Sequence, residues 1–289
     1  MQRSLNRPAE DPPPDGERLV GRRTAVVTGA AAIAAGLTAC STSGTSSATN
    51  QTASTSASNK AAPPSPQSSP AASKPSILTS DGPDIEAGPR TSRDIALTFH
   101  GAGPAGLVRQ FLDLLKARRT PVTVFAVGTW AAANHDLLQR ILTDGHDLGN
   151  HTWSHQPMRT LTAAQADTEV SRGAAAVAAV RHTAGPLFRP SGTPTSTPTI
   201  RAAARAAGYH RCISYDVDSL DYTDPGADAV VRNVLSTVRG GSIISLHFGH
   251  QGTLDALPTL LDSLTAKGFR PRTVTGLLAV SADPVVVTH

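Results

Sequence analysis

Residues 84–289 of this 289-residue sequence predict an α/β fold built on a parallel sheet. Two observations predict it. Short apolar, β-branched runs alternate with amphipathic helical stretches over roughly 200 residues, the rhythm of repeated strand–helix units. Titratable groups also recur just after the strands, where parallel α/β folds gather their chemistry. From this rhythm alone, a parallel α/β barrel and an open doubly wound sheet both remain open.

The elements follow in order. Residues 94–99 read as the first strand, and 106–118 as a helix with Leu107, Phe111, Leu114 and Leu115 on one face. Residues 122–127 form a β-branched buried strand. A short helix over 136–144 is stopped by Gly145, and 147–150 is the strand leading to His151. Residues 162–180 predict a long helix with Thr160 or Thr162 as N-cap. A short strand is expected over 188–191, then a helix over 197–207 ended by Gly208. Strands are expected over 212–217, 242–248 and 269–274, with helices over 227–238 and 254–267 between them.

The N-terminal part differs in kind. Arg22-Arg23 precede an apolar, Ala-rich run ending in Leu37-Thr38-Ala39-Cys40. Residues 1–40 resemble a bacterial lipoprotein signal peptide, with Cys40 as the lipidated residue that anchors the chain to a membrane. An uncleaved signal anchor is the alternative. Residues 41–83 are rich in Ser, Thr, Ala and Pro with few large apolar side chains, the composition of a flexible tether. The second cysteine, Cys212, is then unpaired and reads as a small core residue. The net charge of +4 is mild and scattered, so no nucleic-acid partner is expected, and the chain reads as a monomer.

The most informative segment is Gly149-Asn150-His151-Thr152-Trp153-Ser154-His155. Two histidines four apart after an apolar run can converge on one metal ion, because neutral imidazole is the commonest ligand for zinc-type metals. With 10 histidines in the chain, the pair alone also fits chance. Four more strand ends carry polar groups: His100, Arg189, the set Asp216, Asp218 and Asp221, and the pair His247 and His250. Asp216 and Asp218 also suit plain turn capping, and Arg189 a structural ion pair. Trp153, between the two histidines, favours packing over sugar stacking.

Taken in order, these segments resemble the polysaccharide deacetylases of the NodB homology type, the carbohydrate esterase family 4. Thr98-Phe99-His100-Gly101 stands where that family has Thr-Phe-Asp-Asp, and His151-Thr152-Trp153-Ser154-His155 matches its metal motif. Arg189-Pro190, Asp218-Ser219-Leu220-Asp221-Tyr222 and Leu246-His247 match the remaining three. The resemblance covers about residues 95–278 and implies a distorted (β/α) barrel with a groove-like site. It implies metal-assisted hydrolysis of an acetamide on a polysaccharide. His151 and His155 would hold a divalent metal, expected to be zinc. His247 would be the general acid, Asp221 its orienting partner, and Arg189 the residue that positions the base. The backbone N–H of Gly192 would help the oxyanion, and Leu246 and Tyr222 would contact substrate.

The first motif departs from the family. Both aspartates, one a base and one a metal ligand, are replaced by His100 and Gly101. Three readings stay open. In the first, His100 rebuilds the site as third metal ligand or as base, and the nearby Arg189 disfavours its imidazolium form. In the second, the chain is a glycan-binding pseudoenzyme. In the third, it is a metal-dependent hydrolase of another amide or ester. The leading expectation is an exported, lipid-anchored deacetylase of N-acetylated envelope polysaccharide, peptidoglycan or a chitin-like glycan.

Overall fold

The computed structural model describes residues 77–279. The expected signal peptide, Cys40 and the tether up to residue 76 lie outside the described residues. Among the described residues, no helix is long and apolar enough to cross a membrane.

Five parallel strands run side by side in the order β3-β2-β1-β5-β4. They are β1 (Asp94–Gly101), β2 (Thr123–Ala126), β3 (Asp147–Asn150), β4 (Val217–Asp218) and β5 (Ile243–His247). A sixth, β6 (Arg270–Arg272), pairs with the first half of β1, while β2 pairs with its second half. Isolated bridges carry the path beyond both edges, Asn150 to Phe188 and Ile213 to Ile85. The result is a distorted α/β barrel with an incomplete ladder.

Strand alternation sorts side chains into two cores. Ile95, Leu97 and Phe99 of β1, with Val124, Ala126, Ile244 and Leu246, join the cluster under the helices. Ala96, Phe125, Leu187, Ile213 and Ile243 join the inner cluster. Phe99 stacks on Phe248 at 4.7 Å and meets Phe111 edge-on at 5.7 Å, which fixes β1 against α1 (Ala105–Ala117). Each such pair adds about 0.5–1.5 kcal/mol beyond burial. In α1 the fully buried positions are Val108, Phe111, Leu112 and Leu115; the expected Leu107 and Leu114 are only partly buried.

Helix α2 (Gly128–Ala133) is a short element the hydrophobic period did not announce, and α3 (His135–Thr143) follows it. The long helix α4 (Ala163–Arg181) begins at Thr162, which forms a reciprocal capping box with Gln165. Next come α5 (Pro198–Ala206), α6 (Ala227–Thr237) and α7 (Gln251–Ala266), the last starting three residues before its expected position. Val274 ends no strand; it opens α8 (Val274–Ala279), which packs into the inner cluster.

Two expected strands are corrected. Residues 188–191 and most of 212–217 form no ladder. Arg189 N donates to Asn150, Ile213 N to Phe188, Ser214 N to Ile85 and Asp216 N to Ile243. Each backbone group finds a different neighbour, and Pro190 has no N–H to offer. The Arg189 guanidinium also takes the Ile213 and Ser214 carbonyls, two acceptors that a neighbouring strand would need.

Candidate metal centre and active site

Inward-facing residues of β1 and β5 build one wall of the site. Thr98 and His100 share a face, and His100 lies directly across from His247 in register. Their rings stand edge-to-face at 4.3 Å. The turn after β3 delivers the other histidines, with ring centroids 4.3 Å apart for His100–His151 and 5.0 Å for His151–His155. One nitrogen from each of His100, His151 and His155 lies within 4.8 Å of the others.

His151 fits a metal ligand on three counts. Its Nδ1–H donates to the Arg189 carbonyl at 2.8 Å, which fixes the tautomer and bares Nε2. That Nε2 is buried with no hydrogen-bond partner among the described residues. Burial, then the neighbouring His100 and His155, hold its pKa well below the ordinary histidine value, so the ring is neutral.

Arg189 is almost wholly buried, as an arginine can be only when its donors are satisfied. It donates to Thr98 Oγ1 at 2.8 Å, Ile213 O at 3.1 Å, Ser214 O at 3.0 Å and His100 Nε2 at 3.2 Å, and lies 4.2 Å from the Phe125 ring centre. A guanidinium only donates, so His100 Nε2 accepts and a neutral ring carries its proton on Nδ1. Service by Nδ1 as ligand or base then requires the other tautomer and the loss of the Arg189 bond.

Gly101 explains why no carboxylate follows His100. It faces β2, where an added Cβ would sit 2.8 Å from Val124 Cγ1 and 3.1 Å from Ala126 Cα. The strand register leaves no room for a side chain there.

On the other wall, His247 Nδ1 donates to Asp221 Oδ1 at 2.7 Å. His247 N and Thr253 Oγ1 both donate to Asp221 Oδ2 at 2.7 Å. Burial pushes the Asp221 pKa up, but the charge and hydrogen bonds of His247, with the Thr253 bond, outweigh it and the pKa is lowered. Asp221 is therefore a carboxylate. Tyr222 presents its ring to His247 at 5.6 Å.

The other residues singled out above take these places. Leu246, expected at substrate, is corrected: it alternates with His247, faces the helices and is fully buried in their core. Asp216 serves the fold, accepting from Ile243 N and Ser242 Oγ and pairing with Arg90. Asp218 accepts from Leu220 N, a turn bond. Trp153 packs, with Arg172 4.0 Å from its ring centre. Gly192 has φ +61 and would place a Cβ 2.8 Å from Pro157 Cα, so a side chain there would be strained and crowded. His250 bonds Asp224 at 2.8 Å, with its ring 5.9 Å from His247. Cys212 is buried, its thiol pushed up to about 12 by burial. The sequence reading missed Glu169 of α4. Its signal was a charge within the apolar stripe Ala166, Val170, Gly173 and Val177.

Residues 87–212 match the model of the polysaccharide deacetylase family. A chitooligosaccharide deacetylase of Sinorhizobium fredii is 30% identical over 194 residues, 61% of this chain and 87% of that protein. A peptidoglycan-N-acetylglucosamine deacetylase of Bacillus cereus is 29% identical over 195 residues, 66% of this chain and 90% of that protein. In fold, a CE4 family pseudoenzyme from Bacillus anthracis superposes with a TM-score of 0.63 at 22% identity, over 68% of each chain. The chain belongs to the polysaccharide deacetylase family, a family of hydrolases acting on carbon–nitrogen bonds other than peptide bonds.

Proposed function

We propose that the chain is a zinc-dependent deacetylase of N-acetylated envelope polysaccharide, peptidoglycan or a chitin-like glycan. In this reading Cys40 carries a lipid anchor and the domain works outside the cytoplasmic membrane. The observation that carries the reading is the convergence of His100, His151 and His155 beside a buried Asp221–His247 dyad.

His151 and His155 would hold the ion, with His100 completing the cluster. When bound, a divalent metal polarises a carbonyl and lowers the pKa of bound water. The remaining work falls to side chains. Hydrolysis breaks the amide C–N bond and forms a C–O bond from water, giving acetate and a free amine. The amine must leave with a proton. His247 Nδ1–H is committed to Asp221, so Nε2 is the nitrogen that delivers it, and the Asp221 carboxylate stabilises the imidazolium beforehand. Arg189 holds His100 at the end of β1. Where His100 is the base rather than a third ligand, its Nδ1 accepts the water's proton in the Nε2–H tautomer, which gives up the Arg189 bond.

A second reading, glycan binding without turnover, is favoured by Gly101 and by the Arg189 bond to His100, which together leave the family's carboxylate base unreplaced in this tautomer. Acetate release from N-acetylglucosamine oligomers and peptidoglycan, measured with added zinc, separates the two. We expect release that is lost in His151→Ala. Glycan binding with no acetate would establish the second reading. His100→Ala then assigns that residue: metal content falls for a ligand, whereas rate alone collapses for a base.

A further inference from the structure

Glu169 is buried and has no part in the chemistry above. It sits on α4, yet its carboxylate bonds the turn between the two metal-motif histidines. Oε2 accepts from Trp153 N at 3.1 Å and Ser154 N at 2.8 Å, and Oε1 accepts from Ser154 Oγ at 2.6 Å. The carbonyls of the same turn are held from the opposite direction. Gly128 N and Thr129 N, at the start of α2, donate to Thr152 O and Trp153 O at 2.8 Å each. Thr152 N is held by Asn150 Oδ1 at 2.9 Å.

The turn needs this grip because its backbone is unusual. Thr152 has φ +66 and His155 has φ +60, a left-handed region that residues with a side chain rarely occupy. Such a conformation persists only where the surroundings fix it. Without the Glu169 carboxylate, Trp153 N and Ser154 N lose their acceptor, and the turn that leads to His155 loses one of its anchors.

We propose that Glu169 is a positioning residue for the metal centre, presetting the turn 152–154 so that His155 meets the ion together with His151. This rests on the metal reading of those histidines, and the test keeps the two apart. Zinc affinity of the full chain is measured by chelator competition, and the visible spectrum of the cobalt-loaded protein reports ligand geometry. Glu169→Ala is expected to weaken zinc by about 10–100-fold, the usual cost of losing a partner that orients a ligand, and to alter the cobalt spectrum. Glu169→Gln is expected to stay within about threefold of wild type, because its amide oxygen still accepts both N–H groups while its NH2 meets Ser154 Oγ. Val177→Ala removes a buried side chain from the same helix away from the turn and is expected to leave affinity unchanged.

Wild-type affinity and spectrum in Glu169→Ala would overturn the assignment. So would an equal loss in Val177→Ala, or a Gln variant as weak as the Ala variant. His151→Ala checks the underlying reading separately. If it binds zinc as well as wild type, the metal pair itself is wrong, whatever Glu169 does.

Discussion

Three buried groups, two histidines and one carboxylate, link protonation to stability in opposite chemical senses. His146 is buried and accepts from Val122 N at Nδ1, a bond that needs a neutral ring. Burial is the largest cause that lowers its pKa. Above the unfolded histidine value of about 6.5 its ring is neutral in both states and that bond contributes fully. As pH falls below 6.5 the unfolded chain takes up the proton first, so stability is lost. The slope is at most about 1.4 kcal/mol per pH unit for each such group. His151, also buried and lowered, adds to the same limb. Asp221 works lower on the scale: its pKa is depressed, so its contribution is present above about 4 and is lost as pH falls through the folded value. Urea unfolding between pH 7.5 and 3 should therefore show two falling limbs. His146→Gln should shallow the first and leave the second, and Asp221→Asn the reverse. A single slope unaffected by His146→Gln would refute the assignment.

At the scale of elements, Gly101 turns a missing carboxylate into a question of strand register. β1 stays extended and paired with β2 through Gly101, opposite Ala126, so position 101 cannot turn its side chain toward the histidines. Gly101→Asp should not restore the carboxylate metal ligand that the family resemblance implies. It should destabilise the domain by about 1–3 kcal/mol through overpacking against Val124, with zinc affinity unchanged by chelator competition. Tighter zinc in that variant would show that the strand end yields. The long periodic elements were legible in the sequence: α4 with its Thr162 cap, and the apolar strands β1, β2 and β5. So was the placing of His100, His151 and His247 at the ends of β1, β3 and β5, where their rings lie together. The segments at 188–191 and 212–217 misled because their β-rich composition serves single bridges, with Arg189 consuming the carbonyls. Helix α2 is six residues of Gly-Thr-Trp-Ala-Ala-Ala, too short to show a period. Leu246 was misplaced because alternation assigns it to the face opposite its neighbour His247, a choice that the motif match does not encode.

Across the whole domain, the proposed metal site spans parts that the sheet ties together only indirectly. His100 ends β1, whereas His151 and His155 follow β3, and β2 lies between those strands. An ion held by these side chains would connect the central strand to the turn gripped by α2 and α4. The unfolded chain has no such preformed cluster, so binding free energy becomes folding free energy. At zinc 100-fold above its dissociation constant, the native state gains about 2.7 kcal/mol. For a domain of this size, each kcal/mol moves the melting temperature by about 2–4 °C. Zinc should therefore raise the melting temperature by about 5–11 °C. EDTA should reverse the rise, His151→Ala should abolish it, and Asp221→Asn should retain it because the hydrogen bonds of that carboxylate go to His247 and Thr253. His100→Ala decides how far the ion reaches across the barrel. A rise retained in full would confine the metal to the β3 turn, whereas a rise cut by half or more would tie that turn to the central strand.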